Sequence, residues 1–127
     1  MSPSIESRRN GDGELLRMYV RCGLDTRDAS VVCRYLQWGH EASAANPATQ
    51  VSMQLRMLQT LLQTAHDTAL PWHWRSTCLE HARCFLHPRH PLRELLGVHD
   101  PLALRAIEAA VQTCRDRLPR PGQPDRG

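Results

Sequence analysis

The residues best suited to chemistry lie in the segment from Cys78 to His90, CLEHARCFLHPRH, which holds two cysteines, three histidines and one glutamate. Zinc ligands converge to within about 2.0–2.3 Å of the metal, and a helix brings two of them together at a spacing of three or four residues. Cys84 has this spacing to both Glu80 and His87, but the segment contains no CxxC pair. We therefore predict no metal ion and no cofactor. We interpret the histidines as surface residues near the negative end of a helix, where a partly protonated imidazole is favoured.

Signatures of catalysis are missing from the rest of the sequence. A GxSxG motif and the glycine-rich loops that hold phosphate groups do not occur. His66 is followed directly by Asp67, but adjacent residues of a helix face different directions and cannot form a catalytic pair. All 16 basic residues are arginine, which excludes reactions that need a lysine. We therefore predict that the protein is not an enzyme and has no catalytic residues.

Two clusters of arginine suggest an alternative function, a small nucleic-acid-binding transcriptional regulator. The clusters are Arg83, Arg89 and Arg93, and Arg115, Arg117 and Arg120. Guanidinium groups bind phosphates, so clustered arginines are the expected contacts to a nucleic-acid backbone. Here the clusters are interrupted by acids and prolines, and the net charge is only +3. An ordinary solvated surface therefore explains the same residues.

Composition indicates the fold class. The 127 residues are 41% apolar but only 5% aromatic, and leucine and alanine dominate the apolar set, as is typical of helices. We predict an all-α fold, a small bundle of four to five helices that forms a single domain over residues 14–118. Segment 1–13 lacks apolar periodicity and segment 119–127 is rich in proline and glycine, so we expect both termini to be disordered.

The N-terminal segment and the cysteines indicate the cellular compartment. Residues 1–13 contain no apolar run, so we predict neither a signal peptide nor a membrane span, and a cytoplasmic protein. An odd number of scattered cysteines is expected to stay reduced in that compartment. The five cysteines are Cys22, Cys33, Cys78, Cys84 and Cys114.

Caps and apolar spacing locate the helices. Asn46 and Asp100 are typical N-caps, and each precedes a proline, which is favoured at the first helical position. Residues 14–24 fit a strand and a helix equally well, and we interpret them as a docking arm. Thr26 is the predicted N-cap of a helix whose apolar face is Ala29, Val32, Cys33 and Leu36. Three further helices are predicted, from Trp72 to about His87, from Leu92 to Leu96 with Gly97 after its end, and from Pro101 to Leu118.

The helix predicted from Pro47 to Ala69 has a wide apolar surface. One seam steps by four and three residues, the spacing of a packed helix; it consists of Val51, Leu55, Leu58, Leu62, Ala65 and Ala69. A second stripe of methionine and leucine runs beside this seam and is either ordinary core or a surface for a partner. We predict a partner-binding surface, because methionine adapts to a partner and tryptophan often anchors an interface. The predicted partner-binding residues are Met53, Met57, Leu61, Trp72 and Trp74.

The chain resembles a known family in three respects. These are its length, its use of arginine alone as the basic residue, and the succession from Gly23-Leu24-Asp25 to the helix that begins at Asn46-Pro47. The chain is similar in these respects to the small all-helical antiactivators with which bacteria restrain quorum-sensing transcription factors. The resemblance covers most of residues 14–118 and includes no diagnostic motif, so it transfers no functional residue. It implies a helical homodimer that binds a LuxR-type transcription factor and blocks its dimerisation and DNA binding. We therefore expect a regulator that sequesters a protein partner and does not contact a membrane.

Overall fold

The computed structural model of the protein describes residues 5–118, with side chains from Gly11 onwards. This part of the chain is all-α without a strand, as predicted, but it has six helices rather than four to five. They are α1 (Ile5–Cys22), α2 (Ser30–Ser43), α3 (Pro47–His66), α4 (Trp72–Cys84), α5 (Pro91–His99) and α6 (Pro101–Arg117). The predicted disordered segment 119–127 lies outside the described residues, as do residues 1–4. Over the described range, no helix combines the length and the apolar character needed to cross a membrane.

Helix α1 replaces the ambiguous arm predicted for residues 14–24. It also includes residues 5–13, which belong to the segment for which the sequence predicts disorder. The helix is closed by Gly23, whose φ of 58° is a left-handed conformation that glycine adopts at low cost. The Leu24 amide then donates to the carbonyl of Tyr19 at 3.2 Å, which satisfies a carbonyl of the last turn.

The described residues form two compact units, where the sequence predicts one domain, and the boundary falls inside α3 between Thr60 and Leu61. In the N-terminal unit, α1 packs against α2. Gly39 of α2 is buried, and a Cβ atom at this position would overlap the side chain of Met57 in α3. The absence of a side chain at Gly39 therefore lets the first part of α3 approach α2 closely.

Helix α2 begins later than predicted and buries a different face. It starts at Ser30, so Thr26 is not its N-cap. The predicted apolar residues that the chain leaves exposed or only partly buried are Ala29, Cys33 and Leu36. The residues that are buried are Val31, Val32, Tyr35, Gly39 and Ser43. The small residues among them allow close packing on a face that apolar spacing alone did not identify.

Helix α3 begins where the sequence predicts. Pro47 is its first residue, and the Asn46 side chain accepts a hydrogen bond from the Ala48 amide at 3.0 Å. It ends at His66, before the predicted end at Ala69. Of the predicted seam, the buried members are Leu58, Leu62 and Ala65, the partly buried ones are Val51 and Leu55, and the exposed one is Ala69.

The C-terminal unit contains α4, α5 and α6, and α6 packs against both α4 and α5. Helix α4 ends at Cys84, earlier than the predicted end near His87. Helix α5 extends to His99, so Gly97 lies inside it rather than after its end. The core of this unit consists of Leu61, Leu62, Ala65, Trp74, Cys78, Leu79, Ala82, Phe85, Leu92, Leu96, Leu104, Val111 and Cys114.

Helix α6 begins at the predicted cap. The carboxylate of Asp100 accepts a hydrogen bond from the Ala103 amide at 3.2 Å, and Pro101 occupies the first helical position. The Asp100 amide in turn donates to the carbonyl of Leu96 at 2.8 Å, at the end of α5. One residue thus closes α5 and opens α6, which fixes the turn between them.

Candidate protein-binding surface

Most of the predicted partner-binding residues lie in the core. The relative exposure is 2% for Met57, 0% for Leu61 and 1% for Trp74. Their prediction as an exposed binding surface is therefore wrong, because the chain itself covers the methionine and leucine stripe of α3. Met53 is partly buried and Trp72 is 38% exposed, so only these two remain accessible.

A different apolar surface is exposed on α5 and at the start of α6. Leu92 and Leu96 point into the core from one face of α5, since four residues are about one helical turn. Leu95 and Val98 lie on another face, and they are 41% and 77% exposed. Leu102 in the first turn of α6 is 74% exposed. Three large apolar side chains therefore face solvent on two helices that pack against each other.

Helix α6 continues this apolar surface along its outer face. Its inner face is buried through Leu104, Val111 and Cys114. A second, exposed stripe steps by four, three and four residues, and its members are Leu102, Ala106, Ala109 and Thr113. This is the spacing of a helix that packs against another helix. We use the name α5–α6 surface for Leu95, Val98, Leu102, Ala106 and Ala109.

The predicted cysteine and histidine segment lines a groove of about 480 Å³ in the C-terminal unit. The thiol of Cys84 donates to the carbonyl of Glu80 at 3.4 Å. The Nδ1 atom of His87 accepts from the Arg89 amide at 3.2 Å. Both contacts are local to the end of α4 and the turn after it. Among the side chains that the structure describes, no group of three or more metal ligands comes together, so the Cys84 and His87 pair lacks a further ligand.

Two arginines of the first predicted cluster, Arg83 and Arg93, line the same groove. Glu80 and Glu108 also line it, and Glu80 forms an ion pair with Arg83 at 3.2 Å. The two acids balance the two arginines, so the groove has no excess of positive charge for a phosphate backbone.

The second predicted arginine cluster lies at the end of α6. Arg115 and Arg117 are in its last turn, where a positive charge complements the helix dipole. Arg120 lies outside the described residues. The dipole therefore explains the two described arginines without a nucleic acid.

His81 and His90, which the sequence suggests are partly protonated surface residues, are half-buried. Burial lowers the pKa of His81, which disfavours the protonated imidazole. Burial, followed by the nearby His87, lowers the pKa of His90 as well. The Nδ1 atom of His90 accepts a hydrogen bond from the Leu92 amide at 3.1 Å, a contact that requires an unprotonated nitrogen. His90 is thus the N-cap of α5.

The sequence-based prediction missed the three large side chains of the α5–α6 surface. For Leu102 the signal in the sequence is the double pattern of α6, in which the seam through Leu104 and Val111 is accompanied by a second apolar stripe through Leu102 and Ala106. Comparison of the chain with protein-family models, with curated proteins and with solved structures finds no match. The function is therefore argued from the surface itself.

Proposed function

We propose that the protein is a non-enzymatic regulator that binds and sequesters a partner protein through the α5–α6 surface. The observation that supports this proposal is the exposure of Leu95, Val98 and Leu102 beside the uncharged outer stripe of α6. Burial of one such side chain contributes about 1.5–3 kcal/mol. Contiguous apolar patches on a protein surface commonly mark interaction sites. Three large apolar side chains exposed on two helices that pack against each other are therefore suited to the centre of an interface.

The outer stripe of α6 suits a helix of the partner. Ala106 and Ala109 have small side chains, which let a second helix approach closely, while Leu102 and Val98 provide the larger contacts. Following the resemblance to antiactivators, we propose a LuxR-type transcription factor as the partner. Occupation of the factor's own dimerisation surface would then prevent it from binding DNA, and the complex would form in the cytoplasm.

A homodimer through the same surface is part of this proposal. Asp100 caps the start of helix α6, and the last turn of the helix carries a net positive charge from Arg115 and Arg117 with Asp116 between them. An antiparallel pair of α6 helices, related by a two-fold axis, would bring these opposite charges together. The second copy and the partner protein would therefore compete for one surface.

The experiment uses the double variant Val98→Glu/Leu102→Glu. Both side chains are exposed, so the charges should leave the fold intact while they prevent burial of the surface against a partner. The wild type is expected to be a dimer by light scattering and to retain a partner during affinity purification from host cells. The variant is expected to be monomeric and to retain none.

The matched control is Gln63→Glu/Thr68→Glu, which adds the same charge at two exposed positions of the C-terminal unit outside the α5–α6 surface. Its mass and its captured protein should equal those of the wild type. A folded Val98→Glu/Leu102→Glu variant that still dimerises and still captures the partner would disprove the proposal. Capture by the wild type and by the control that disappears after nuclease treatment would favour the nucleic-acid alternative.

A further inference from the structure

A second cavity lies in the N-terminal unit, where α1 ends and α2 begins. Its volume is about 300 Å³, at the lower end of the range of small-molecule sites. The residues that line it are Leu15, Leu16, Tyr19, Asp25, Asp28, Val31 and Arg34. Four of these provide an apolar wall, and three carry charges. The α5–α6 surface belongs to the other unit and shares no residue with this cavity.

The apolar wall comes from two helices. Leu15, Leu16 and Tyr19 occupy neighbouring turns of α1, and Val31 in the first turn of α2 is buried. Met18 is exposed and lies three residues after Leu15, so it continues the apolar face of α1 beside the cavity. An apolar group of a few carbon atoms would therefore find contacts on the wall and at its rim.

Two of the three charges neutralise each other. The Asp28 carboxylate accepts hydrogen bonds from the amide and hydroxyl of Ser30, and its second oxygen is paired with Arg34 at 3.2 Å. The side-chain hydrogen bond from Ser30 is the main reason why the pKa of Asp28 is lowered. Asp28 therefore stays ionised, and its charge is compensated by Arg34.

Asp25 carries the remaining charge. In the described part of the chain, the hydrogen bonds to its carboxylate reach only Oδ1, from the backbone nitrogen and from Nε of Arg27 at 3.3 Å each. The Arg27 side chain is 93% exposed and does not line the cavity. An ion pair so open to solvent is weak, so a second cation can contact the Asp25 carboxylate without displacing a stable partner.

We propose that this cavity binds a small amphipathic amine, with its ammonium group on Asp25 and its apolar part against Leu16, Tyr19 and Val31. The lining has two carboxylates and one guanidinium, so its excess charge is negative and it favours a cation over an anion. The apolar wall favours an alkyl or aryl amine over the ammonium ion alone.

The experiment titrates the full chain with n-hexylammonium, and amide shifts in NMR spectra identify the binding residues. Shifts are expected at Leu16, Tyr19, Asp25 and Val31, and hexanoate at the same concentrations should produce none of them. Affinity should rise about fourfold for each added methylene, as for the burial of one CH₂ group. Higher salt should weaken the binding, because one contact is ionic.

Variants separate the ionic contact from general apolar binding. Asp25→Asn keeps an oxygen that accepts from the Arg27 amide, so the turn should stay folded, and the affinity for hexylammonium should fall at least about tenfold. The matched control Asp116→Asn removes an exposed carboxylate from α6 and should have no effect. Equal binding of hexanoate, an unchanged affinity of Asp25→Asn, or shifts confined to other residues would each overturn the proposal. Val98→Glu/Leu102→Glu should bind the amine as the wild type does, so this test is independent of the proposed function.

Discussion

The inner stripe of α3 and the outer stripe of α6 have the same kind of sequence pattern and opposite environments. Met57 and Leu61 are buried, whereas Leu102 and Ala106 face solvent. Each pair is four residues apart and lies beside a main apolar seam of its helix. The spacing shows that two residues share a helix face. It does not show whether the rest of the chain covers that face.

The burial of the α3 stripe depends on residues that a search for apolar side chains does not identify. Gly39 leaves room for Met57, and Thr60, although polar, is buried. The Thr60 hydroxyl donates to the carbonyl of Arg56 at 3.0 Å and accepts from Tyr35 at 3.4 Å, so its burial leaves no unsatisfied group. The outer stripe of α6 is uniformly apolar at its start and nevertheless remains open. In this chain, Gly39 and the hydrogen-bonded hydroxyl of Thr60 therefore distinguish the buried stripe from the exposed one better than the apolar residues do.

The largest effect is expected from one substitution made on both stripes. Leu61→Ala removes a fully buried side chain and should lower the free energy of unfolding by about 2–5 kcal/mol. Leu102→Ala removes a side chain that is exposed within one copy and should change the free energy of unfolding of the monomer by no more than about 0.5 kcal/mol. Urea denaturation followed by circular dichroism measures both values. Equal losses at the two positions would show that the stripes do not differ in burial.

A second pair of variants tests the close approach at Gly39. Alanine favours a helix over glycine by about 1 kcal/mol. At Gly39 the new Cβ atom would overlap the buried side chain of Met57, and overpacking costs about 1–3 kcal/mol, so Gly39→Ala should give a net loss of up to about 2 kcal/mol. At Gly97 the nearest side-chain atom, Cδ2 of Leu104, is 3.8 Å from the new Cβ atom, an ordinary contact. Gly97→Ala should therefore stabilise the protein by about 0.5–1 kcal/mol.

The measurement is again the free energy of unfolding, with Met57→Ala as an added background. In that background the harmful effect of Gly39→Ala should become smaller, because the overlapping side chain is gone. If Gly39→Ala stabilises the protein as much as Gly97→Ala does, then α2 and α3 do not pack closely at this glycine.

The features that the sequence predicted well are those that depend on local chemistry. The starts of α3 and α6 follow from Asn46 and Asp100, whose side chains accept from amides only a few residues away. The cap at Thr26 was wrong, because Asp28 and Ser30 form the hydrogen bonds at the start of α2 instead. Competing polar residues within one turn make such a position ambiguous.

The candidate site was less predictable than the helices. Whether Met57 or Leu102 is exposed depends on which elements pack on each face, and residues distant in sequence decide this. The sequence therefore identifies the apolar face of α3 correctly, but it predicts exposure of Met57 and Leu61 where the structure shows burial. The α6 part of the α5–α6 surface is visible in the sequence as a second stripe, but its exposure depends on the packing of the folded chain.

The smallest effect is expected for the reactivity of the cysteine thiols. Their rate of reaction with a reagent measures their burial in the folded protein without any substitution. All five cysteines are in the thiol form; Cys78 and Cys114 are buried, and Cys22, Cys33 and Cys84 are exposed. At about pH 8, close to the ordinary thiol pKa, three thiols should react rapidly with Ellman's reagent and two only after unfolding. Five rapid equivalents would contradict the burial of Cys78 and Cys114.

Burial raises the pKa of Cys78 from 9.0 to about 12. The unfolded chain therefore loses this proton at a lower pH than the folded chain does, and the free energy of unfolding should fall as the pH rises from about 9 towards 12. The fall should be shallower in Cys78→Ala, whereas the exposed-site control Cys84→Ala should keep the slope of the wild type. An identical slope in all three proteins would show that Cys78 is accessible to water, which would remove it from the core of the C-terminal unit.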